Sequence, residues 1–195
     1  MSEFIVLKGS PRPGGNTHSL ARIVTDELTA AGKSVEEYDL YRMDIRPCLA
    51  CRSCQENLLE PACIQHDDMQ KIFQAILSCR VVILATPVYS WYCTPPMKAA
   101  LDRLVYAMNK FYGKSGKGPS LWAGKTLALL VTCGYPPEKG ADLLERGIRR
   151  YCRHSGLHYF GMLAEHHEGY QTAFLTDEKR KHAVQFAERL LERRI

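Results

Sequence analysis

Phe4-Ile5-Val6-Leu7-Lys8 runs into Gly9-Ser10-Pro11-Arg12-Pro13-Gly14-Gly15-Asn16-Thr17, and the chain continues with Leu20, Ala21, Val24 and Leu28 at helical spacing. A short apolar run, a turn rich in glycine and hydroxyl groups, and an amphipathic repeat read as strand, loop and helix. That arrangement can hold a phosphate, because backbone N–H groups and the positive end of the helix dipole converge on one spot. The loop lacks G-x-x-x-x-G-K-[ST], which a triphosphate loop needs, and G-x-G-x-x-G, which a dinucleotide fold needs. It offers side-chain donors from Ser10, Asn16 and Thr17 and a charge from Arg12, a set suited to one terminal monophosphate. The structural alternative is an ordinary turn in which Thr17 caps the helix.

Working outward, apolar runs alternate with amphipathic ones. Strands are predicted over Phe4–Lys8, Val35–Asp39, Val81–Thr86, Thr126–Thr132 and His158–Leu163. Helices are predicted over Thr17–Ala31, Asp67–Ser78, Pro96–Phe111, Lys139–Ser155 and Asp177–Arg193. Strict alternation of strands and helices implies an α/β fold, a three-layer doubly wound domain on a five-stranded parallel sheet. The 195 residues fit a single domain, 1–195, with a cysteine-rich insertion at about 44–66. A Gly/Lys segment at 112–123 follows a predicted helix rather than a strand, so it reads as a flexible turn, a lid or a subunit contact.

Two more strand ends contribute to a ligand site at the same edge of the sheet. Thr86-Pro87-Val88-Tyr89-Ser90-Trp91-Tyr92 follows the third strand, and Cys133-Gly134-Tyr135-Pro136-Pro137 follows the fourth. Pro87 and Gly134 let backbone approach a flat ring, while Tyr89, Trp91, Tyr92 and Tyr135 offer stacking. Each aromatic taken singly reads better as core or interface packing, and together, at the ends of successive strands, they favour a ligand site.

Gly9-Ser-Pro-Arg-x-x-Gly-Asn-Thr17 resembles the phosphate loop of the flavodoxin-like NAD(P)H-dependent FMN reductases. The segment from Thr86 through Pro95-Pro96-Met97-Lys98 to Asp102-Arg103 resembles their second flavin loop and following helix. The resemblance implies the sheet order 2-1-3-4-5, with FMN at its switch point. It implies FMN contacts from Ser10, Arg12, Asn16 and Thr17 and ring contacts from Pro87, Val88, Tyr89 and Ser90. Cys133 and Gly134 join them from the fourth strand. Lys98, Asp102 and Arg103 are expected to anchor their helix and a subunit interface.

Cys48-x₂-Cys51-x₂-Cys54-x₈-Cys63 is the second strong pattern. Four thiolates at this spacing suit an iron–sulfur cluster. Zinc, a redox dithiol and free thiols are the alternatives. Pro47-Cys-x-Ala-Cys-x-x-Cys54 and Cys63-Ile-x-x-Asp67-Asp68-Met69 resemble the iron–sulfur flavoproteins of anaerobic archaea and bacteria, which implies a [4Fe–4S] cluster on Cys48, Cys51, Cys54 and Cys63. The eight-residue final gap, near Leu58-Leu59-Glu60-Pro61, is longer than is usual in that motif. Cys79 and Cys152 read as small apolar fillers, and Cys93 and Cys133 as candidate reactive thiols in ligand-side loops.

The remaining features narrow the function classes. No apolar run reaches membrane-spanning length, and Met1-Ser2-Glu3 is no signal peptide, so a cytoplasmic protein without a membrane partner is expected. The net charge of +5 is dispersed, with Arg149, Arg150, Arg153, Arg189, Arg193 and Arg194 near helix ends, which argues against nucleic acid. His166-His167-Glu168 reads as a polar loop, Ser10 lacks the G-x-S-x-G elbow of a hydrolase, and no catalytic residue is singled out. The expected function is an FMN-dependent oxidoreductase moving electrons from NAD(P)H or a reduced carrier to a quinone, flavin or other small acceptor. The alternative is a non-catalytic flavodoxin-type carrier without a cluster. A homodimer or homotetramer is expected from the apolar and aromatic residues carried by long loops.

Overall fold

In the computed structural model, residues 2–114, 116–169 and 171–192 are described. Ser115 of the Gly/Lys segment and Arg193 and Arg194 of the basic C-terminal stretch therefore lie outside the described residues. The strands are β1 (Phe4–Lys8), β2 (Val35–Asp39), β3 (Val81–Pro87), β4 (Thr126–Cys133) and β5 (His158–His166). The helices are α1 (Asn16–Ala30), α2 (Met69–Ser78), α3 (Pro95–Met108), α4 (Pro137–Gly140), α5 (Asp142–Ser155) and α6 (Asp177–Glu192).

All strand pairings are parallel and the order is β2-β1-β3-β4-β5, as expected. Side chains alternate across each strand and so feed two cores. Ile5, Leu7, Val82, Leu84, Leu127 and Leu129 face the layer that holds α2, α3 and α5. Phe4, Val6, Val81, Ile83, Ala128 and Leu130 face α1 and α6. Strand β2, Val-Glu-Glu-Tyr-Asp, is partly exposed because it is an edge.

The structure departs from the sequence pattern at two helix ends. Helix α3 stops at Met108, short of Phe111, and Asn109 takes an extended backbone. The Asn109 side chain turns inward, donating to Ser155 Oγ at 2.9 Å and accepting from Ser120 Oγ at 2.8 Å and Trp122 Nε1 at 2.9 Å. Satisfying the buried Ser155 and Trp122 and the partly buried Ser120 outweighs continuing the helix. The predicted helix 139–155 starts earlier and is broken at Ala141 into α4 and α5. Gly140 sits at that break in close quarters, since a Cβ there would lie 3.0 Å from the Tyr135 carbonyl.

Candidate functional site

The phosphate-type loop is pinned from below. A Cβ at Gly9 would lie 2.9 Å from Thr94 Oγ1 and 3.1 Å from Met97 Cβ, so only glycine lets β1 run so close to the start of α3. The Thr94 hydroxyl donates to the Gly9 carbonyl at 2.7 Å, and the His18 ring bonds the Pro13 carbonyl at 2.7 Å. Gly15 occupies the N-cap of α1 in extended conformation without a side-chain cap. The first-turn amides therefore keep their capacity to bind an anion. Thr17 does not cap the helix. It lies inside α1 and its hydroxyl shares a 2.7 Å hydrogen bond with that of Thr132 at the end of β4.

This bond ties the loop to the switch point between β1 and β3, where connections leave to opposite sides of the sheet. A cleft of about 190 Å³ opens there. Ser10, Arg12, Asn16 and Thr17 line one end, and Pro87, Val88, Tyr89, Cys133 and Gly134 line the other. No carboxylate lines it, whereas a guanidinium does, which suits an anionic ligand. Ser90, expected in the same group, lines an adjoining hollow instead, together with Trp91 and Tyr135. It belongs to a two-residue hairpin turn in which Tyr89 and Tyr92 exchange backbone bonds of 2.9 and 3.0 Å.

Two lining residues escaped the sequence reading, Thr132 and His167. His167 is carried in by β5, which runs on to His166 rather than stopping at Leu163, and its amide donates to the Cys133 carbonyl at 2.7 Å. Only the length of β5 could have signalled it. The two thiols flagged as reactive are the opposite. Burial pushes Cys133 up to about 11 and Cys93 up to about 12, so both stay protonated and neutral near pH 7. Cys79 and Cys152 are buried fillers, as expected.

The cysteine segment leaves β2 at the same sheet edge but then runs along α3. Cys48, Cys51, Cys54 and Cys63 line one narrow hollow whose floor is Arg103, Tyr106 and Ala107. All are free thiols, Cys54 buried and Cys51 exposed. Among the described residues no three His, Cys, Asp or Glu side chains converge where a single ion could sit. Hydrogen bonds from Ser53 lower the Cys51 thiol, and burial raises that of Cys54, whose S–H donates to the Tyr106 carbonyl at 3.4 Å. From Thr94 behind the phosphate loop to Arg103, the helix rises roughly 14 Å.

Arg103 does not face outward toward a subunit boundary. It is buried, paired with buried Asp67, and donates to Cys63 Sγ at 3.3 Å and to the Arg46 carbonyl at 3.3 Å. Burial opposes ionisation of Asp67, but the bonds from Arg103 and the Arg46 and Met69 amides win and hold its carboxyl below the usual range. Lys98 and Asp102 pair with each other on the exposed side at 2.7 Å. A second buried cation, Lys110, donates to the carbonyls of Cys54 at 2.7 Å and Glu60 at 2.6 Å. Arg103 thus ties the two ends of the cysteine segment together, and Lys110, at the exit of the same helix, holds its middle.

The sequence pattern of the NADPH-dependent FMN reductases matches residues 3–146. The chain belongs to that family. Its sequence is 32% identical over 144 residues to an iron–sulfur flavoprotein of Archaeoglobus fulgidus, covering 73% of this chain and 60% of that protein. It is 32% identical over 145 residues to an iron–sulfur flavoprotein of Methanocaldococcus jannaschii, covering 74% and 68%. The chain spans about half to three-fifths of the length of several curated relatives it matches. In fold this FMN reductase relative superposes on an FMN-dependent NADH-azoreductase of Bacillus anthracis, solved in complex with FMN. The TM-score is 0.69 at 13% identity, covering 96% of this chain and 98% of that one. No helix among the described residues is long and apolar enough to cross a membrane.

Proposed function

We propose that the chain binds FMN non-covalently in the switch-point cleft and moves electrons from NAD(P)H, or a reduced carrier, to a small acceptor such as a quinone or a free flavin. The observation that carries this reading is a carboxylate-free cleft with an uncapped helix N-terminus and Arg12 at one end and the backbone of Pro87 and Gly134 at the other. FMN, when bound, supplies exchange of two electrons with a nicotinamide or of one with a carrier. The chain's own work is to bind and orient. Ser10, Arg12, Asn16 and Thr17 hold the phosphate, and the neutral thiol of Cys133 places no charge against the ring.

We further propose that Cys48, Cys51, Cys54 and Cys63 ligate a [4Fe–4S] cluster, a one-electron centre. Four soft donors stand around one hollow, and Arg103 and the Ala50 amide donate to Cys63 and Cys48 sulfur at 3.3 and 3.4 Å. Such bonds stabilise thiolate ligands. Ligation requires the Cys54 S–H to give up its proton and its bond to Tyr106. One specific observation favours a cluster-free reductase, namely that the thiols do not converge as a preformed metal site. Anaerobic purification decides between them. A broad visible absorbance with about four irons and four sulfides per chain is expected, and a flavin spectrum without iron would leave a plain FMN reductase.

A homodimer or homotetramer follows as a proposal from the exposed apolar side chains of the cysteine segment, Leu49 at 64% and Leu59 at 84% exposure. An adjacent subunit could then bring its flavin nearer to the thiols than the length of α3 allows within one chain. Light scattering at micromolar concentration is expected to give at least twice the chain mass of 22.1 kDa. A monomer would sink the proposal.

A further inference from the structure

Beside the switch-point cleft lies a second hollow of about 160 Å³. The two adjoin, with Val88, Cys133 and Gly134 lining both. The second has a different character. No charged side chain lines it, and its outer wall is a pair of parallel rings, Trp91 and Tyr135, with centroids 6.2 Å apart and planes inclined by 8°. Both rings are about half exposed. Large aromatic faces left open next to a cofactor-sized cleft are expensive to keep hydrated and suit a flat apolar ligand.

Both rings are held in place rather than merely left on the surface. Trp91 and Ser90 have φ of 61° and 50°, left-handed conformations that residues with a Cβ avoid. Two positive φ values in a two-residue hairpin define a type I′ turn, for which Asn-Gly is the easy sequence. Ser-Trp adopts it because the flanks are fixed. Tyr92 packs its ring on Gly147 of α5, where a Cβ would lie 3.2 Å from it. Tyr135 stands ahead of Pro136-Pro137 and backs onto Gly140, whose missing Cβ leaves room for the Tyr135 carbonyl and Cβ. Strain of this kind persists where surrounding packing over-determines it, and it gathers at ligand sites.

We propose that the Trp91–Tyr135 hollow is the subsite for the electron acceptor, and that it selects flat, uncharged, quinone-type rings. The inference rests on FMN occupying the adjoining cleft. An occupant of the hollow would lie beside Val88, Cys133 and Gly134, where the edge of the flavin site is, and would gain stacking without any charged partner. Rings fixed in advance cost little ordering on binding.

Tryptophan emission makes this testable, because the chain has two tryptophans and Trp122 is 1% exposed, leaving Trp91 as the accessible one. The FMN-loaded oxidised protein is titrated with menadione, a flat naphthoquinone, and binding is followed by emission and by calorimetry. Menadione is expected to quench Trp91. W91A and Y135A are expected to weaken binding about tenfold each, while W91F and Y135F, which keep a flat ring, stay close to wild type. FMN content, read from visible absorbance, is expected to be the same in all five proteins. Wild-type affinity in both alanine variants would overturn the inference. So would loss of FMN from those variants, which would mean that the rings grip the flavin itself. Trp91 emission that becomes quenchable only on dissociation of an oligomer would also overturn it, since a second copy would then cover the rings. A wild-type protein that retains no FMN removes the flavin reading and this inference together, and absorbance alone reveals that case.

Discussion

Arg103→Ala is expected to destabilise the fold by about 3–5 kcal/mol, because it strands a carboxylate in the interior. Arg103 and Asp67 are 1% and 0% exposed at their side chains, so neither has water as a substitute partner. Arg103 also donates to Cys63 sulfur and to the Arg46 and Gln65 carbonyls, and these acceptors lose their donor together. Denaturant unfolding of wild type, R103A, D67A and the double variant measures the effect. The double variant is expected to lose much less than the sum of the singles, as contacting groups do. A loss below about 1 kcal/mol for R103A would show that the pair does not hold the cysteine segment in place.

The same pair sets an acid limit. Asp67 has a folded pKa below its unfolded value of 3.8, so its stabilisation is complete well above pH 3.8. It declines as pH falls through 3.8 towards the lower folded value, where the carboxylate takes up its proton in both states. Acid unfolding of wild type should therefore steepen below about pH 4, and D67N should remove that part of the profile.

Arg12→Ala and Asn16→Ala are each expected to weaken FMN binding by about 1–3 kcal/mol, roughly tenfold to a hundredfold. In the proposed phosphate site Arg12 is the charge from the loop and Asn16 stands at the first position of α1, both lining the cleft. Neither is buried in the core, so the losses should appear in affinity with little change in unfolding. Equilibrium dialysis or flavin fluorescence measures them. Unchanged retention in both variants would move the phosphate elsewhere.

How much of this was legible in the sequence depends on how far each interaction reaches. The β1–loop–α1 unit could be read because its signals are local: an apolar run, glycines, donors and a helical repeat within one short stretch. The sheet order needed the family resemblance. Interactions that bring together residues distant in the chain were not visible. Helical spacing continues past Met108, yet Asn109 and Lys110 leave the helix to satisfy groups on Ser155, Trp122 and the cysteine segment. Arg103 looks like a surface cation in a sequence window and is buried against Asp67 and Cys63. His167 reads as a polar loop residue until β5 carries it to the cleft. Ser90 and Trp91 carry none of the glycine or asparagine that normally marks a type I′ turn, so the hairpin that presents Trp91 left no trace in composition.

A comparison of FMN with riboflavin addresses the phosphate loop most directly. The two ligands share the ring and the ribityl chain and differ only in the terminal phosphate. Stripped of flavin and titrated with each, the protein should bind FMN at least about a hundredfold more tightly, and R12A/N16A should erase most of the difference. Equal affinity for riboflavin and FMN would contradict the assignment of residues 10–17 as the phosphate site.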